Sequence, residues 1–177
     1  MIKRSSDLTL RDALRVYNAM SYSMWKYGIE GIMTSHIIIV WRTLKVEDHQ
    51  QAADILSEYL NRAKKKWQRV RLMEMKPGIR NWRAHSGFKL NYIYVWENGT
   101  QQGLHTHILA TIPWIFATVY KSWSQKTLTR LSGQPCTPET IEVVAPQEAP
   151  SVKRGWYWMR YGLKQLAPEP EFGPIIL

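Results

Sequence analysis

The sequence predicts an α+β fold: a ferredoxin-like split β-α-β sheet, antiparallel, with helices on one face and a central hairpin. Three observations carry that expectation. Short β-branched or aromatic runs alternate with longer stretches of helical spacing, in the order β-α-β-β-α-β-α after an N-terminal helix. Two of the strand-like runs flank the polar turn "NGTQQG", which points to an antiparallel hairpin. The chain has 177 residues, 45% of them hydrophobic, and shows no internal repeat, which suits one domain with its own core. The expected division is an N-terminal helical extension over 1–33, the main domain over 34–166 and a tail over 167–177.

Each element has a local reason. Residues 9–26 place Leu10, Leu14, Tyr17, Met20 and Met24 near one helical face, and Gly28 and Gly31 close that segment. "SHIIIVWRTL" (35–44) is short and β-branched, a buried strand. Asp48 is a candidate N-cap for a helix over 49–70, whose apolar stripe is Ala52, Ile55, Leu56, Tyr59, Leu60 and Ala63. Its last turns carry Lys64, Lys65, Lys66 and Arg69, cations placed well for a helix C-terminus; a solvated face and a DNA contact both explain them. Residues 76–87 read as a basic, Gly- and Pro-containing loop, and 88–97 as an aromatic strand. "LHTHILATI" (104–112) returns as the second hairpin strand. Pro113 opens a helix over 114–131, with Ile115, Val119, Trp123 and Leu128 as candidate core. A short strand at 139–145 and a helix at 152–166, begun near Ser151 and stopped by Pro168 and Pro170, complete the order.

Charge narrows the function classes. Lys and Arg number 24 against 14 Asp and Glu, a net charge of +10, which attracts polyanions. Nine Trp and nine Tyr accompany it, and aromatic faces stack on unpaired bases while cations hold the backbone. A solvated basic surface is the plain alternative. The single cysteine, Cys136, allows no intramolecular disulfide and no Cys-rich zinc module. The charged N-terminus has no long apolar stretch of the secretory kind, and no apolar run approaches the roughly 20 residues of a spanning helix. The expectation is a soluble, cytoplasmic protein without a membrane partner.

The chemistry concentrates in "ENGTQQGLHTHIL" (97–109). Side chains alternate across a strand, so His105 and His107 share a face, with Leu104, Thr106 and Ile108 on the other. In a hairpin, Glu97 comes beside them. Two imidazoles and a carboxylate then converge and leave coordination positions open for substrate oxygens. A His-x-His pair alone is weak evidence, because a strand histidine is commonly structural. The last helix adds a second signal. Tyr157, Tyr161 and Lys164, spaced by four and three, lie on one face with Arg160 beside them. A tyrosine hydroxyl can attack a phosphodiester, a metal can polarise the scissile phosphate, and a cation can hold the developing charge. Packing in the core is the competing use of such a stripe.

These motifs resemble those of the HUH endonucleases, specifically their rolling-circle replication initiators. "GLHTHIL" is similar to the His-hydrophobic-His motif, with Thr106 in place of the hydrophobic residue, and "YWMRYGLK" is similar to the Tyr-x-x-Lys motif, with a second tyrosine one turn earlier. Glu97 stands where several initiators place a third metal ligand. "SHIIIVWRTL" occupies the place of their first strand motif but matches it poorly. The resemblance spans about residues 34–166. It implies a metal-dependent endonuclease and ligase that nicks single-stranded DNA at an origin or stem-loop, linking a tyrosine to the 5′ phosphate and freeing a 3′ hydroxyl. It also implies Mg²⁺ or Mn²⁺ on His105, His107 and Glu97. Tyr161 matches the single-tyrosine pattern with Lys164, and Tyr157 with Arg160 repeats it, so the nucleophile is either tyrosine or both.

Other readings remain beside it. A single-strand transposase or a relaxase belongs to the same superfamily, although relaxases carry three metal histidines where this chain has a glutamate. A non-catalytic nucleic-acid-binding module has the same gross topology. A Gly-x-x-x-x-Gly-Lys-Ser/Thr loop is absent, so a host helicase would supply unwinding and a host polymerase synthesis. Arg80, Trp82 and Arg83, in the basic loop with His85, are candidate DNA contacts. His36 and His49 have no partner at ligand spacing and read as structural or exposed. Tyr94 and Trp96 lie off the Glu97 face and read as packing.

Overall fold

The computed structural model describes residues 10–75, 82–99, 103–147 and 151–162. Helix α1 (Leu10–Tyr27) is followed by strand β1 (Ser35–Val40), helix α2 (His49–Trp67), strands β2 (Arg71–Met75), β3 (Trp82–Ser86), β4 (Tyr92–Gly99) and β5 (Gly103–Ala110), helix α3 (Ala117–Ser132), strand β6 (Ile141–Val144) and helix α4 (Val152–Gly162). The architecture is α+β. Four strands form one antiparallel sheet in the order β4-β5-β1-β6, compatible with a ferredoxin-like fold, while among the described residues β2 and β3 pair with each other in a second sheet. Among the described residues no helix is long and apolar enough to cross a membrane.

Local chemistry accounts for most boundaries. Asp48 caps α2 as its sequence position suggests: the carboxylate accepts from the Gln51 N–H at 2.7 Å. Ser151 does the same at α4 with the Arg154 N–H. The strand expected over 35–44 is shorter. β1 stops at Val40, and a 3₁₀ turn, Trp41–Leu44, turns Trp41 into the core; Lys45 leaves it in the left-handed conformation, φ 54°. The helix expected over 49–70 ends at Trp67, because residues 71–75 are drawn into β2. The basic stretch read as a loop over 76–87 contains β3 at its end. Phe88 N–H donates to the Trp67 carbonyl at 2.9 Å, so the excursion through β2 and β3 leaves and re-enters the main body at one point.

The core lies on one side of the four-stranded sheet. Ile37, Ile39, Ile108 and Ile141 meet Leu56, Tyr59, Leu60 and Trp67 of α2 and Tyr120 and Leu128 of α3. Trp67 is its centre, with ring centroids 5.2 Å from Tyr120 and 5.8 Å from both Phe88 and Trp123. Much of the aromatic content is therefore packing: Trp41, Trp67, Trp96, Tyr59 and Tyr120 are all buried. The Tyr59 hydroxyl donates to Tyr120 at 3.0 Å and lies 2.9 Å from the Ser124 hydroxyl, which satisfies it inside the core. Burial pushes the Tyr59 phenol up to about 12 and Tyr120 well above its ordinary value.

The opposite side of the sheet is not bare. α1 packs against β4 and α4 against β5, and His36 and Leu109, which project there, are buried. Helices thus meet both sides of the sheet, whereas one face was expected. α4 also lies close on α1. Tyr17 stacks on Trp156 at 5.0 Å. A β-carbon at Gly155 would stand 2.5 Å from the Met20 terminal methyl and 3.2 Å from an Ile32 methyl, so glycine permits this approach.

Candidate metal centre

β4 and β5 form the expected hairpin, and its register decides which side chains meet. Glu97 lies directly opposite His105, Val95 opposite His107 and Trp96 opposite Thr106. Directly paired residues share a face. Glu97, His105 and His107 therefore project from the side away from the main core, with Thr106 and Trp96 pointing into it. Thr106 has a reason to be polar: the buried Trp41 indole N–H donates to its hydroxyl at 2.8 Å. A hydrophobic residue at 106 would leave that donor unmatched.

On the other face the polar atoms converge. His107 Nε2 lies 3.0 Å and His105 Nε2 3.4 Å from the same oxygen, Glu97 Oε2. Only 4% of His105 and 6% of His107 is exposed, so water screens the cluster poorly. The His105 ring has a fixed proton. Its Nδ1 stands 2.8 Å from the Gly103 carbonyl, which only accepts, so Nδ1 carries a hydrogen. Gly103 sits at φ 65°, a conformation that suits glycine at the start of the returning strand. In a neutral His105 a lone pair thus faces a carboxylate oxygen, an arrangement that a cation between them relieves.

The ligand atoms of Glu97, His105 and His107 all lie within 4.8 Å of one another, and the three residues form a group that can hold a metal ion. Adjacent ligands on an octahedral ion, each at about 2.0–2.1 Å, stand about 3 Å apart. The 3.0 and 3.4 Å separations are already near that value. Two nitrogens and one oxygen are a donor set that can bind a metal ion.

A fourth residue joins the cluster, and sequence spacing did not find it. His36 of β1 is 3% exposed, and its Nε2 lies 3.0 Å from His107 Nδ1. β1 pairs with β5 so that Ile38 faces His107 and His36 faces Leu109, which makes His36 the diagonal neighbour of His107. The signal lies in a register between strands about seventy residues apart, not in any local pattern.

Comparison with protein families, curated proteins and solved structures gives no match for this chain.

The remaining candidates are placed less fully. Tyr157 lies on α4 and is 62% exposed. Arg160 and Tyr161 belong to the last turns of α4, the helix that packs on the histidine strand β5; their side chains lie outside the described residues. Lys164 and Arg80 lie outside them altogether, and of Trp82 and Arg83 only their backbone positions in β3 are described. Beyond β1 the histidine face continues into an open cleft of about 400 Å³, lined by Ile38, Val40, Lys121, Pro138, Glu139 and Glu142. The basic run on α2 is exposed, and Lys64 rests over the Tyr92 ring at 4.7 Å.

Proposed function

We propose that the protein is a metal-dependent endonuclease and ligase of single-stranded DNA with a tyrosine nucleophile, of the HUH replication-initiator type. The observation that carries this reading is the convergence of His105, His107 and Glu97 at the end of one hairpin, with the tyrosine-bearing helix α4 packed on the histidine strand. The strand order β4-β5-β1-β6, with helices in the β1–β4 and β5–β6 connections, supports a split β-α-β sheet. The net charge of +10 suits a polyanionic substrate.

Glu97, His105 and His107 hold Mg²⁺ or Mn²⁺, which supplies neutralisation and orientation of the scissile phosphate. The hydroxyl oxygen of Tyr161, or of Tyr157, attacks the phosphorus; a new O–P bond forms and the bond to the 3′ oxygen breaks. The phenolic proton passes to solvent or a nearby base, and the departing 3′ oxygen takes up a proton to become a hydroxyl. The 5′ phosphate stays on the tyrosine, and attack by a 3′ hydroxyl reverses the step. Lys164 and Arg160 contribute positive charge near the phosphate.

The test is denaturing electrophoresis of the protein with a pool of labelled single-stranded DNA and Mn²⁺. A band that survives SDS, requires the metal and disappears in Tyr161→Phe or Tyr157→Phe establishes the covalent step and names the nucleophile. DNA binding that persists in EDTA, with no adduct from any sequence, overturns the enzyme and leaves a nucleic-acid-binding module.

A further inference from the structure

We infer that His36 is a positioning residue that holds His107 in the tautomer a cation requires; this rests on the metal-centre reading above. A neutral imidazole has one N–H and one lone pair. To bind a cation through Nε2, the nitrogen 3.0 Å from Glu97, His107 must carry its hydrogen on Nδ1. That hydrogen points at His36 Nε2, 3.0 Å away and buried, which accepts it when His36 carries its own hydrogen on Nδ1. The two rings lie within 9° of parallel, so the contact fixes the orientation of His107 as well as its proton. Metal-bound histidines commonly need such an outer partner.

The two ligand histidines differ in this respect. His105 is oriented by the backbone carbonyl of Gly103, within its own strand. His107 is oriented by a side chain from the neighbouring strand, so its support can be removed by one substitution. His36→Leu removes the acceptor and keeps a buried apolar group. His36→Gln restores an amide oxygen that can accept from Nδ1–H.

The experiment measures Mn²⁺ affinity by EPR on the full chain, for the wild type, His36→Leu, His36→Gln and Glu97→Ala. Long-range ¹H–¹⁵N NMR of histidine-labelled protein with Zn²⁺ reads the His107 tautomer, and thermal unfolding in EDTA reads the fold. Expected are a loss of about 10–100-fold in Mn²⁺ affinity for His36→Leu, substantial recovery in His36→Gln, an Nδ1–H tautomer in the wild type and a disturbed one in His36→Leu. The inference is overturned if His36→Leu binds Mn²⁺ within twofold of the wild type while Glu97→Ala does not bind. It is equally overturned if both His36 variants weaken binding alike with the wild-type tautomer and a lowered unfolding temperature, which is a packing role. Absence of Mn²⁺ binding by the wild type removes the metal centre itself, and this inference with it.

Discussion

Strand β5 has two faces with similar burial and opposite chemistry. Thr106 on the core face is fully buried, and His105 and His107 beside it are nearly so. On the core side Trp41 is completed by Thr106 and Tyr59 by Tyr120 and Ser124, whereas the buried Trp67 indole N–H has no hydrogen-bond partner among the described residues. On the other face a carboxylate oxygen and two imidazole nitrogens crowd together. Burial alone does not distinguish a structural polar residue from a ligand. The distinction lies in whether several ligand atoms converge within reach of one ion, as those of Glu97, His105 and His107 do.

The largest effect is expected from emptying the core face. Trp67→Ala is expected to cost about 3–5 kcal/mol of stability, read by urea unfolding, while the folded fraction keeps its Mn²⁺ affinity. Next is Glu97→Ala, which is expected to weaken Mn²⁺ binding about 100-fold or more, since it removes the single anionic ligand of the set. Unfolding in EDTA should lose no more than about 1–3 kcal/mol, for the contact between the carboxylate and the buried His107. A large loss of stability there would move Glu97 into the structural class.

Alkali probes the core face differently. A phenol is neutral when protonated, so a folded pKa raised by burial favours folding below the unfolded value of about 10. With Tyr59 at about 12, the unfolded chain loses its proton first. Stability should fall as pH rises from about 10 to about 12, on the order of 1 kcal/mol per pH unit for this group. Tyr59→Phe should flatten that slope, measured as the urea midpoint against pH. The smallest effect is expected from Thr106→Val, about 1–3 kcal/mol for the stranded Trp41 donor; removing the donor as well, in Trp41→Phe with Thr106→Val, should recover part of the loss.

What the sequence made legible was local. The Asp48 cap, the stripe on α2, the hairpin and the shared face of His105 and His107 each depend on residues within a few positions of one another. What it hid was long-range or a matter of phase. His36 gained its partner through the β1–β5 register. Val119 was expected in the core and is exposed, whereas Tyr120 is fully buried. The 3₁₀ turn Trp114–Phe116 precedes α3, so a 3.6-residue count started at Pro113 slips in phase at Val119, although Leu128 is fully buried and Ile115 and Trp123 pack against the core as expected. β2 was hidden because its partner β3 lay in a stretch that reads as a loop.

The closed neck between Trp67 and Phe88 has a consequence for how this chain can change. The four-stranded sheet is formed without β2 and β3, and a backbone bond of 2.9 Å joins the chain on either side of them. The loop-closure cost grows only with the logarithm of length. The ribbon is thus a module that insertion, deletion or exchange can remodel while the hairpin bearing Glu97, His105 and His107 keeps its register.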